Sequence, residues 1–171
     1  MCIRDRREIG RVKLLTSKDE RVLARQMEGG KHISSLESIL RDGTGRSVPA
    51  WEASLELLQR IVEATPLVIS LGQHLGLPTN PTLSQITKDP DLRAAIDILL
   101  DPDLITSLSR DLMKDESAVS RDIVRFSLDS WVQPPDVVTV LEDCTLREQE
   151  SKLDSRKCHS TLPHMETIFQ S

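Results

Sequence analysis

The tetrapeptide Asp-Pro-Asp-Leu occurs twice in this chain, at Asp89–Leu92 and at Asp101–Leu104, the starts twelve positions apart. Each copy reads as a helix start. The first aspartate can accept from a free N–H of the first turn, and the proline supplies no N–H where none is needed. The second acid lies where the helix dipole is positive, and the leucine is the first apolar anchor. Two starts so close together leave room only for short helices, roughly over 90–100 and 102–114. Paired acids can also serve acid/base chemistry or a hard metal, but helix capping accounts for every acid here.

The rest of the chain carries the same punctuation. Thr16, with Asp19 three residues on, is a capping pair, and Ser17 with Glu20 is an equally good frame. Val22, Leu23 and Met27 then follow helical spacing as one apolar face, and Arg21 and Arg25 lie four apart on another. Gly29 and Gly30 are expected to stop this helix. Ile33, Leu36, Ile39 and Leu40 give a second helix ending at Gly43, followed by a turn over Asp42–Gly45. Ser47 is expected to cap a third, with Trp51, Leu55, Leu58, Ile61 and Val62 as its stripe and Trp51 assigned to the core. Thr65-Pro66 starts a helix through Leu67, Val68, Leu71 and Leu75, broken by Gly76–Pro81. Ser117 is expected to cap a longer helix carrying Val119, Ile123, Val124, Phe126 and Leu128. Pro134-Pro135 ends its exit loop, Val137–Leu141 reads as a short helix, and 145–157 as a highly charged exposed helix or frayed segment. Two Trp, two Phe and no Tyr argue against a sheet protein. The expected fold is therefore all-α: one capped N-terminal helix followed by a multi-helix domain of short helices.

Several function classes find no support. No apolar run approaches the roughly 18 residues needed to cross a bilayer, and there is no secretory signal, so no membrane partner is expected and the location is expected to be cytoplasmic. There is no Gly-rich phosphate loop, no His-Glu-x-x-His pair and no Gly-x-Ser-x-Gly elbow. No catalytic residue, cofactor site or enzymatic activity is expected. Cys144 and Cys158 are read as free thiols, and with His159 and His164 they lack the tight ligand pairs of zinc folds, so no metal is expected. The charge is unevenly spread. Residues 1–31 hold nine Lys or Arg against five Asp or Glu, whereas 32–171 hold thirteen against twenty-two. Only the N-terminal arm is a candidate for phosphate contact.

On that arm the order of residues is distinctive: Arg7-Glu8-Ile9-Gly10-Arg11, then Leu14-Leu15-Thr16, acids, and Leu23-Ala24-Arg25 with Glu28 and Gly30. This string resembles region 1.2 of the primary (housekeeping) sigma factors of bacterial RNA polymerase. The resemblance implies that the segment lies beside the non-template strand of promoter DNA, just downstream of the −10 element. By position, Arg7 matches the arginine that reaches the discriminator in that family, and Arg11 and Lys13 share its arm as further DNA-binding candidates. Polymerase core would be bound through region 2, which is expected after residue 171. Residues 31–143 resemble, less specifically, the helical insert that some primary sigma factors carry between regions 1.2 and 2.

Four segments are expected on this basis. Residues 1–6, Met-Cys-Ile-Arg-Asp-Arg, look like the translation of a transposon end used in sequencing-library preparation, with a genuine divergent N-terminus as the other reading. Residues 7–30 correspond to region 1.2, 31–143 to the insert, and 144–171 to a charged helical tail leading toward region 2. The whole would direct polymerase to promoters. The competing reading is a free-standing cytoplasmic helical protein-interaction module whose basic start is incidental.

Overall fold

The computed structural model describes residues 15–140, except Thr79, Leu99 and the side chains of Thr44 and Val140, together with Thr145 and Leu146. Over these residues the fold is all-α. Eight helices follow in order: α1 (Ser17–Thr44), α2 (Ala50–Glu63), α3 (Thr65–Leu75), α4 (Leu83–Lys88), α5 (Pro90–Asp97), α6 (Pro102–Leu112), α7 (Glu116–Trp131) and α8 (Pro135–Val140). No strand forms among the described residues; Thr82 and Thr145 make an isolated antiparallel bridge.

The first helix departs furthest from the sequence reading. The stop expected at Gly29-Gly30 does not occur, and neither does the end at Gly43. α1 runs unbroken for 28 residues to Thr44 and closes on Gly45, whose φ of 68° is the left-handed cap. Gly29 and Gly30 both lie within the helix, and neither has a positive φ. A helical glycine costs about 1 kcal/mol relative to alanine. Contacts on either side of the pair, described below, offset that cost.

The two Asp-Pro-Asp-Leu starts behave as expected. Asp89 accepts from the Leu92 N–H at 2.8 Å, and Asp101 from the Asp103 N–H at 3.0 Å. α3 also begins where expected, whereas α8 begins at Pro135, two residues before the expected Val137, because a proline is well suited to the first helical turn. Two expected caps are not used. Pro49, in extended backbone, precedes α2 in place of Ser47, and Arg46 closes the entrance by pairing with Glu52 at 2.8 Å. This follows from the bias of a residue before proline toward extended backbone. α7 begins after Asp115 rather than Ser117, because the turn out of α6 is completed early. Met113 takes the left-handed conformation (φ 51°) and the Lys114 N–H returns to the Ser109 carbonyl at 3.1 Å. α4 was not foreseen. Its signal was present in Thr82 and Gln85, which form a complete capping box directly after Pro81.

α7 organises the packing: it touches α1, α2, α4, α5 and α6. Its Val119, Ile123 and Phe126 are buried among Leu58 and Ile61 of α2, Leu67, Val68 and Leu71 of α3, Leu83 and Ile86 of α4, Leu92 and Ile96 of α5, and Leu108 of α6. Val137 and Val138 of α8, with Leu146, complete this main core. α1 stands outside it. Its Leu36 joins Ala53 and Leu57 of α2 in a separate small cluster, with Leu40, Val48 and Val132 packed against it. Trp51, expected in the core, is only half-buried.

Candidate nucleic-acid interface

α1 connects the basic arm to the helical body. Its start is a complete capping box: the Asp19 N–H donates to Thr16 Oγ1 at 3.3 Å, and the Asp19 carboxylate accepts from the Thr16 N–H at 2.9 Å. The Thr16 hydroxyl also donates to that carboxylate at 2.7 Å. Bonds from the Thr16 backbone and then its side chain hold the Asp19 carboxyl below its ordinary pKa. The frame left open in the sequence is thus the Thr16 one.

All residues from Leu15 to Ala24 are exposed. Lys18 and Arg21 alternate here with Asp19 and Glu20, so these first turns carry a balanced charge. The apolar positions Val22, Leu23 and Met27, read as one face, are all exposed, Met27 at 63%. The body lies against another stripe, Arg25, Gly29, His32 and Leu36, at steps of four, three and four residues.

Each residue of that stripe has its own partner. Arg25 Nη2 donates to Asp97 Oδ1 at 2.9 Å, to the Ser127 carbonyl at 3.2 Å and to the Ser127 hydroxyl oxygen. Its guanidinium lies 5.5 Å from the centre of the Trp131 ring. Gly29 lets that indole approach: a Cβ there would overlap the six-membered ring and stand 3.1 Å from Val132 Cγ1. His32 Nε2 is 2.6 Å from Asp129 Oδ1, and Asp129 is fully buried. Leu36 fills the small apolar cluster.

The site recruits two helix ends. Asp97 is the last residue of α5, and Ser127 lies in the final turns of α7. Carbonyls at a helix C-terminus carry partial negative charge and favour cations. Arg93 joins Arg25 there: it donates to Asp97 at 2.9 and 2.6 Å, to the Ser127 carbonyl at 3.2 Å and to the Ser130 hydroxyl oxygen at 2.8 Å. The Ser127 hydroxyl donates to Asp97 Oδ1 at 2.6 Å. One carboxylate is thus shared by two guanidiniums, which satisfies its burial.

The three DNA-binding candidates, Arg7, Arg11 and Lys13, lie outside the described residues, as do Cys144, Cys158, His159 and His164. Sequence reasoning placed Arg25 on a charged face without assigning it a partner, and it missed Asp97, Ser127 and Trp131. The available signal was the four-three-four spacing of Arg25, Gly29, His32 and Leu36, a stripe too polar to register as an apolar face. Elsewhere, Ser70 Oγ and His74 Nε2 both bond to Asp111 Oδ2, at 3.0 and 2.9 Å. His74 first, then Ser70, pulls the Asp111 pKa down. The acid lies in the middle, with the serine hydroxyl on the carboxylate, which is not the serine–histidine–acid order of a nucleophile relay. Among the described residues no group of three or more His, Cys, Asp or Glu side chains is arranged to hold a metal, and no helix is long and apolar enough to cross a membrane.

Residues 7–33 match the family described as sigma-70 factor, region 1.2. The match covers 27 of 171 residues and ends within α1, one turn before Leu36. No curated protein and no solved structure matches the chain.

Proposed function

We propose that this chain is part of a primary sigma factor, a non-enzymatic and cytoplasmic protein, and that its basic arm contacts the discriminator segment of the non-template promoter strand through Arg7, with Arg11 and Lys13 alongside. The observation that carries this reading is the family match over residues 7–33, which begins on Arg7 itself. The structure supports it in a second way. α1 begins with a firm cap two residues after Leu14, so the arm is attached to a rigid helix, and the first turns of that helix are exposed. In this reading residues 31–143 are the helical insert, and polymerase core is engaged through region 2.

One to three cationic contacts give only a shallow salt dependence, so the chain on its own binds DNA weakly. The test therefore uses a chimera in which residues 7–140 replace the corresponding segment of a complete primary sigma factor. Arg7→Ala is expected to shorten the lifetime of open promoter complexes more than it lowers affinity for core polymerase. Equal losses in both assays would remove Arg7 from the DNA contact. The alternative of a free-standing interaction module predicts no effect in either assay.

A further inference from the structure

We infer that Arg25 is a positioning residue: its clamp on the converging ends of α5 and α7 sets the direction in which the first turns of α1, the helix that follows the basic arm in sequence, leave the body. The consequence for DNA rests on the promoter-contact reading above; the clamp itself rests on the described geometry alone.

Counted from the N-terminal side, Arg25 is the first described residue of α1 that is not exposed. Its side chain keeps only 19% of its accessible surface, and that of Asp97 only 23%. Before it the helix projects free of the body for eight residues from Ser17, about 12 Å at the helical rise. A stiff rod held near one end magnifies any change of angle at the holding point. The next contact along the rod, Gly29 against Trp131, depends on the same residue, because the guanidinium lies over that indole. Beyond it the holding points are His32 with Asp129 and Leu36 in its cluster, about two and three turns from Arg25.

The clamp can be removed without dismantling the body. Asp97 keeps two bonds from Arg93 and one from the Ser127 hydroxyl when Arg25 is absent, so no buried carboxylate is orphaned. Arg93 still joins α5 to the end of α7. Arg25 is joined to the arm in sequence through α1, and that helix is what it fixes.

The experiment reads angle and function separately. In the full chain with Cys2, Cys144 and Cys158 replaced by serine, spin labels at Glu20→Cys on α1 and Gln73→Cys on α3 report one distance. The parent gives a single narrow peak; Arg25→Ala is expected to lose it, with the helical content and melting of the body retained. Should Arg25→Ala fail to fold, Arg25→Gln, which keeps a side-chain donor, is measured in its place. A narrow peak that survives the substitution overturns the proposal. In the chimera, Arg25→Ala is expected to shorten open-complex lifetime in the same direction as Arg7→Ala. If the peak is lost and Arg7→Ala shortens the lifetime while Arg25→Ala does not, the clamp does not aim the arm, and the promoter reading stands. If Arg7→Ala itself has no effect, the promoter reading fails, and the distance measurement still decides the role of Arg25 in the fold.

Discussion

At position 29 a single hydrogen atom lets α1 meet the indole of Trp131. The sequence shows Gly29 and Gly30 as a pair, and a pair of glycines after an amphipathic stretch is a reasonable helix stop. What the pair cannot show is a packing reason for one member, because Trp131 is a hundred residues away. The two glycines are therefore expected to respond differently to alanine. At Gly30 an added methyl meets nothing within 4 Å, and the position is exposed. Gly30→Ala should stabilise the protein by about 1 kcal/mol, the helix-propensity difference. At Gly29 the same gain is opposed by overlap with the indole, and forcing a methyl into a packed contact costs about 1–3 kcal/mol. Gly29→Ala should leave stability unchanged or lower and should displace Trp131 from Arg25. Urea melts of both variants, with tryptophan fluorescence, check this. Equal stabilisation by the two substitutions would mean that the Gly29–Trp131 contact is not formed.

Among the elements, most of those whose boundary chemistry lies within four residues were legible, the Thr82–Gln85 box of α4 being an exception. The capping box of α1 was read to within one residue, and the two Asp-Pro starts and the Gly76 stop were read correctly, because each is a local exchange between a side chain and a nearby N–H, or a left-handed glycine. Ser47 and Ser117 were read as caps on identity alone, and the turns leading into their helices displaced them. The cap of α1 also makes a pH-dependent element. The Asp19 carboxyl is held below the ordinary 3.8 by the Thr16 N–H and hydroxyl. A depressed carboxyl pKa adds stability that is present above the ordinary value and is lost as pH falls through the folded one. The first turn of α1 should therefore fray in acid at pH values below 3.8, while Asp19→Asn removes that local dependence. Carbon NMR titration of Asp19, with amide exchange over residues 17–21, measures it. A midpoint at or above the ordinary value would contradict the capping geometry.

At the scale of the whole molecule, two regions of different character meet along one polar stripe. The body is an apolar core arranged around α7. α1 is joined to it by one small cluster and by charged groups at the ends of α5 and α7. The all-α class was legible from punctuation and from the scarcity of aromatics. The continuity of α1 was not, because it depends on contacts between residues about a hundred positions apart. The same continuity gives the arm a rigid mount, and the central claim is that this mount delivers residue 7 to promoter DNA. A photo-crosslinking benzoylphenylalanine at position 7 of the chimeric sigma factor, irradiated in an open complex, tests it most directly. The account predicts crosslinks to non-template bases between the −10 element and the start site. Crosslinks confined to protein, or to DNA outside that interval, would contradict it.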